Sequence, residues 1–107
     1  MLVAIINPDR TIERKEIDGS LESMQAIVGG LIQPLDVSRT LTLWVNEEGL
    51  MLDLEDNLLA SGIVNQVLVG TAFLTGGTDE EGNTLGLNPD YFEVLDQYAE
   101  ATLMLFG

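Results

Sequence analysis

The side chains in this chain that could do chemistry are mostly carboxylates in short runs. The run Asp79-Glu80-Glu81-Gly82-Asn83 offers oxygen ligands of the kind that Ca²⁺ and Mg²⁺ prefer. Its spacing departs from the EF-hand loop, because the glycine follows Asp79 by three positions rather than five and no glutamate stands at the twelfth position. The run is therefore interpreted as a solvated acidic loop, and no metal site is predicted.

A second run, Asn46-Glu47-Glu48-Gly49, has two interpretations. Its two carboxylates and its amide would accept hydrogen bonds from an arginine or lysine of a partner. Alternatively, Asn46 and Gly49 are the residue types that a tight turn needs, and Glu47 and Glu48 between them are solvated. The turn interpretation is favoured.

The basic residues Arg10, Arg14 and Lys15 form one cluster in the sequence. They would be suited to contact a phosphate or a nucleotide. The favoured interpretation is that they are charges on an edge strand, where they discourage pairing with another chain. Strand alternation places Arg14 and Lys15 on opposite faces.

The chain has no histidine and no cysteine, which removes the commonest general base, thiol nucleophiles and thiolate metal ligands. No pair of carboxylates can be placed as an acid and a base. We therefore predict a protein that is not an enzyme and needs no cofactor. The lack of cysteine fits the reducing cytoplasm of a bacterial host.

The net charge of −14 is unevenly distributed along the 107 residues. All four basic residues precede Thr40, and 12 of the 18 acidic residues follow it. This balance argues against direct binding to nucleic acid or to an anionic membrane, and no apolar run approaches the roughly 20 residues of a membrane span. It favours a protein partner with a basic surface, or only solubility. The candidate acidic surface comprises Glu47, Glu48, Asp79, Glu80, Glu81, Glu93, Asp96 and Glu100.

The elements that must position these residues can be read from hydrophobic periodicity. Strands are predicted at Leu2–Ile6, Thr11–Ile17, Leu31–Leu35, Leu41–Asn46 and Gln66–Thr75, the last with two buried faces, and helices at Ser20–Gly29 and Pro89–Phe106. For the span between Asn46 and Gln66 two predictions stay open: a strand at Leu50–Leu54, or a short helix at Asp53–Ala60. In the last helix the residues expected to face the sheet are Phe92, Leu95, Ala99, Thr102, Leu103 and Phe106. The prediction is one α+β domain over residues 1–107, an antiparallel or mixed sheet of about four to six strands with two packed helices.

Trp44, the single tryptophan, lies in the Leu41–Asn46 strand on the face opposite Leu43 and Val45. A helix over that face would make it a core residue. Left uncovered, it would be an anchor for a partner or a contact in a homo-oligomer.

Three segments together carry a resemblance to a known family: Glu16 to Ile32, Asn46 to Gly49, and Val69 to Leu74. Their order and spacing over roughly residues 1–77 resemble domain-of-unknown-function family 3846, small proteins of phages, plasmids and integrated elements. The most specific part is the Asn-Glu-Glu-Gly tetrapeptide. Members often have a proline-containing segment and an asparagine after that turn; here Met51–Asp56 has no proline, and only Asn57 corresponds to the asparagine. The resemblance implies a mobile-element origin and no particular reaction.

We therefore expect a binding protein that inhibits a host defence or nucleic-acid-handling protein, with spread carboxylates imitating the charge of a DNA backbone. Two alternatives stay open: a protein that sequesters a small ligand such as a nucleotide signal, and a self-assembling accessory protein.

Overall fold

The computed structural model describes the backbone of residues 1–106 and the side chains of residues 1–105. This part of the chain forms one α+β unit of five strands and three helices. In chain order the elements are β1 Leu2–Ile6, β2 Ile12–Glu16, α1 Leu21–Val28, β3 Ile32–Ser38, β4 Leu41–Asn46, α2 Leu58–Val64, β5 Ala72–Thr75 and α3 Tyr91–Phe106.

The strands form one antiparallel sheet in the order β2-β1-β5-β4-β3. The predicted edge position of Arg14 and Lys15 is confirmed, since β2 pairs with β1 alone. Pro34 likewise lies on an edge strand, β3, where its missing N–H is tolerated.

Helices cover both faces of the sheet, which explains why β1 is apolar at every position. Val3 and Ile5 pack with Met24 of α1 on one face. Ala4 and Ile6 pack with α2 and α3 on the other face. A strand buried on both sides has a continuous apolar sequence rather than an alternating one.

The helix ends follow their sequence signals. Ser20 accepts a hydrogen bond from the backbone N–H of Ser23 (3.1 Å) and caps α1, and Gly29 ends the helix with φ +79°, a conformation that glycine adopts readily. Asn88 accepts from the N–H of Asp90 (3.0 Å) ahead of α3.

Three details differ from the sequence prediction. The Gln66–Thr75 strand is reduced to β5, because Gly70 takes a φ of +79° and the chain before it pairs with Asp56 through a single bridge at Val69, in which Gly70 donates to the carbonyl of Glu55 at 2.7 Å. Val67 is exposed rather than buried. Leu50–Leu54 is not a strand, and the intervening helix, α2, begins later than the predicted Asp53–Ala60.

The inward face of α3 is largely as predicted. Leu95 and Thr102 are buried, and Phe92 and Ala99 are half-buried. Leu103 was expected to face the sheet but is exposed; the side chain of Phe106 lies outside the described residues.

None of the helices in residues 1–106 combines the length and the apolar composition that crossing a membrane requires.

Candidate functional site

The turn after β4 is held by the asparagine at its start. The Asn46 side-chain oxygen accepts from the N–H of Glu48 (2.8 Å), and the N–H of Gly49 bonds the Asn46 carbonyl (3.2 Å). The Asn46 amide nitrogen donates to the carbonyl of Val28 (3.1 Å) in the last turn of α1. Asn46 is buried, so its amide joins the turn to a helix rather than facing a partner.

Gly49 is required by packing. A methyl group on its Cα would stand 2.9 Å from a methyl of Val69 and 3.4 Å from the Asn46 carbonyl oxygen. Glu47 and Glu48 are exposed. The motif therefore consists of two structural ends with two solvated carboxylates between them, and only those carboxylates are available to a partner.

The second acidic run lies at the tip of a small hairpin, residues 77–85. Thr78 pairs with Thr84, and Asp79 accepts hydrogen bonds from the backbone N–H groups of Glu81 and Asn83, both at 2.9 Å. Hydrogen bonds from Asn83 hold the pKa of the Asp79 carboxyl below its usual value. Asp79 thus shapes the turn, and Glu80 and Glu81 project from it into solvent.

The third acidic group is a stripe on the outer face of α3. Glu93, Asp96 and Glu100 are all exposed, and they recur at spacings of three and four, so they share one side of the helix. None of the three forms an ion pair, because the pair between the Met1 amino group and Glu16 is the only one that the structure records in residues 1–105.

The structure does not gather these carboxylates into one patch. Glu47 and Glu48 follow the last residue of β4, whereas the hairpin follows Thr75, which pairs with Thr42 near the start of β4. The two runs therefore begin at opposite ends of the sheet. At the rise per residue of an extended strand, these two ends are roughly 15 Å apart. The hairpin and the α3 stripe are neighbours in the chain, with seven residues between them.

The basic residues do not converge. The Arg14 guanidinium lies 5.0 Å from the ring centre of Phe92 in α3, a cation–π contact. Lys15 is on the opposite face, in a groove that Ser23 and Ile27 of α1 also line. Arg10 lies in the β1–β2 turn with φ +70°, and its buried Nη1 has no hydrogen-bond acceptor in the described part of the chain.

Trp44 is partly buried on the α1 face. Its ring stacks on Phe73 with centroids 6.0 Å apart and planes 11° from parallel. Its Nε1 donates to the hydroxyl of Thr75 at 2.9 Å. With one ring face and its polar atom both engaged internally, the indole acts mainly as a packing group.

Sequence reasoning missed two features. Asn57 is fully buried and caps α2; its amide nitrogen also donates to the carbonyls of Ile6 (2.9 Å) and Gly70 (2.8 Å). The apolar run Leu50-Met51-Leu52 is exposed. An asparagine before an apolar helix is a readable capping signal, but nothing in the sequence distinguishes an exposed apolar turn from a buried strand.

The family model described as Domain of unknown function (DUF3846) matches residues 1–102. No curated protein and no solved structure is significantly similar to the chain.

Proposed function

The chain belongs to the DUF3846 family, and from that premise we propose that it is a non-catalytic binding protein. Its partner is a protein with a basic surface, and binding inhibits that partner. The contact surface is formed by the outer stripe of α3 (Glu93, Asp96 and Glu100) and the tip of the hairpin that precedes α3 in the chain (Glu80 and Glu81). We call these five residues the α3 acidic surface.

The observation that carries this proposal is that these carboxylates form no ion pair. None of these five carboxylates is within ion-pair distance of a basic group among the described side chains. Exposed like charges repel one another and destabilise the compact state, and the cost falls when an opposite charge arrives. A basic partner surface supplies that charge, and it also gains charge-assisted hydrogen bonds.

The class of partner follows from the same charge. A basic groove that normally holds nucleic acid is built to contact rows of phosphates. Exposed carboxylates along a helix present a comparable row, so a host defence or nucleic-acid-handling protein of a bacterial cytoplasm is the partner we propose. Electrostatic attraction would speed association and make it dependent on salt.

A capture experiment with matched variants tests the proposal. The tagged protein and a Glu93→Gln, Asp96→Asn, Glu100→Gln variant are each used to retain proteins from a bacterial lysate at low salt. A Glu13→Gln, Glu22→Gln, Asp36→Asn variant removes the same number of exposed charges elsewhere. We expect a basic protein to be retained by the wild type and the control, and lost from the α3 variant and on washing with high salt.

Equal retention by all three proteins would contradict the proposal. The two alternatives have their own signatures. A sequestering protein would release a small molecule when the purified protein is denatured, and a self-assembling protein would change its Trp44 fluorescence on dilution.

A further inference from the structure

The turn segment 47–56 exposes three consecutive large apolar side chains. Leu50 and Met51 are 77% and 82% exposed, and Leu52 is 54% exposed. Val67, from the segment that leads into β5, is also 77% exposed and lines the same groove of about 300 Å³ as Leu50 and Met51. Single exposed apolar residues are ordinary, but a contiguous group marks an interaction site.

These side chains are held outward by the fold. The N–H of Leu52 bonds the Glu48 carbonyl (3.0 Å), and the N–H of Leu54 bonds the Gly49 carbonyl (3.2 Å), so the turn has a defined backbone. Buried Val45, Leu68 and Val69 line the inner side of the groove beside it. The hydrogen-bonded turn therefore keeps Leu50 and Met51 exposed at this groove.

The apolar surface continues beyond this groove. Gln66 and Val67 also line a second groove of about 490 Å³, between α2 and the C-terminal half of α3. Exposed Leu58 and Leu105 lie on its walls. We call the connected surface the apolar strip: Leu50, Met51, Val67, Leu58 and Leu105.

The charge around the strip decides what covers it. The turn segment carries five exposed carboxylates and no basic residue: Glu47, Glu48, Asp53, Glu55 and Asp56. A second copy in a two-fold dimer would set the strip and these carboxylates against themselves, at −14 per chain. An anionic membrane is repelled in the same way. A cationic amphipathic segment covers the apolar side chains with its own apolar face and pairs its basic residues with these carboxylates.

We propose that the apolar strip binds an amphipathic helix of the partner protein, with apolar residues at spacings of three and four and lysines or arginines beside them. This inference rests on the proposed function, because it names the element of a basic partner that inserts into this protein. The carboxylates steer the helix, and the leucines and Val67 supply contact that salt does not screen.

The probe is a fluorescent peptide of leucine and lysine, roughly 14 residues or about four helical turns long, with its leucines on one helical face. Fluorescence anisotropy measures its binding to the full chain at low salt and at about 0.5 M salt. We expect a Leu50→Ser, Met51→Ser, Val67→Ser variant to bind at least about tenfold more weakly at both salts, which corresponds to about 1.4 kcal/mol. A Glu47→Gln, Glu48→Gln, Glu55→Gln variant, which neutralises carboxylates of the turn segment, should bind more weakly at low salt alone. A peptide with glutamate in place of lysine should not bind.

The peptide data and the capture experiment together separate the two proposals. A strip variant that binds the peptide like the wild type would overturn the inference, even where the α3 variant loses the captured protein and the proposed function stands. A strip variant that binds the peptide more weakly, together with an α3 variant that still retains the captured protein, would support the strip and count against the α3 acidic surface. Sedimentation showing a wild-type dimer that the strip variant dissociates would assign the strip to a second copy and also overturn the inference. The unfolding curve of a conservative Met51→Gln variant, compared with that of the wild type, shows whether a loss of binding comes from misfolding.

Discussion

The Asn46 amide nitrogen donates to the Val28 carbonyl at 3.1 Å, across the junction between β4 and α1. The first residue of the Asn-Glu-Glu-Gly tetrapeptide is therefore a buried connection between two elements. The carboxylates beside it face solvent, so one short motif contains a structural part and a solvated part.

Replacing Asn46 by alanine should destabilise the fold by roughly 1–3 kcal/mol. The Val28 carbonyl and the Glu48 N–H would each lose a partner near the buried junction, and an unsatisfied buried group costs about this much. Urea unfolding measures the change. Glu47→Ala is the matched control from the same turn and should stay within about 0.5 kcal/mol of the wild type. Similar losses for both variants would contradict the structural assignment.

Asn57→Ala should be more damaging than removal of the other caps. It deletes the cap of α2 and also leaves the carbonyls of Ile6 and Gly70 without their donor. Loss of a cap costs about 0.5–2 kcal/mol and each unsatisfied buried carbonyl about 1–3 kcal/mol, so we expect roughly 3 kcal/mol or more. Ser20→Ala removes only an exposed cap and serves as the comparison. If the two variants unfold at the same urea concentration, Asn57 does not connect these elements.

Gly77→Ala should destabilise the protein by about 2 kcal/mol or more, since the new methyl would overlap the backbone carbonyl of Arg39. Gly82→Ala, in the same hairpin, meets open space and costs only the strain of its φ of +84°, about 1 kcal/mol. Thermal unfolding of both variants measures the difference. A milder effect at Gly77 than at Gly82 would be inconsistent with the close packing of the hairpin on the β3–β4 turn.

Acid should destabilise the protein partly through Asp18. Hydrogen bonds from Ser20 lower the pKa of this carboxyl to about 2 in the folded state, against about 3.9 in an unfolded chain. Its contribution to stability is therefore complete above about pH 4 and is lost as the pH falls towards 2. Asp18→Asn should flatten this acid limb, as measured by urea midpoints at about pH 6 and about pH 3. An unchanged difference between the two midpoints would show that Asp18 is not responsible.

The features that the sequence predicted are those set by local residue patterns. Ser20 and Gly29 predicted the two ends of α1. The apolar run of β1 and the charged run of β2 predicted two strands with β2 at the edge of the sheet. The exposure of the acidic residues also followed directly, because unpaired carboxylates are rarely buried.

The sequence did not determine the secondary structure of the span between Asn46 and β5, which depends on tertiary packing. Leu50-Met51-Leu52 has the composition of a buried strand, but backbone hydrogen bonds hold it as a turn beside the groove that Val45, Leu68 and Val69 line, so the run remains on the surface. Val67 is exposed for a related reason, since Gly70 turns the chain before β5 begins. Composition determined that this protein is acidic, folded and without histidine or cysteine chemistry. Only the packing of distant segments determined which carboxylates lie together and which apolar side chains face solvent, because burial depends on what occupies the space and not on the residue alone.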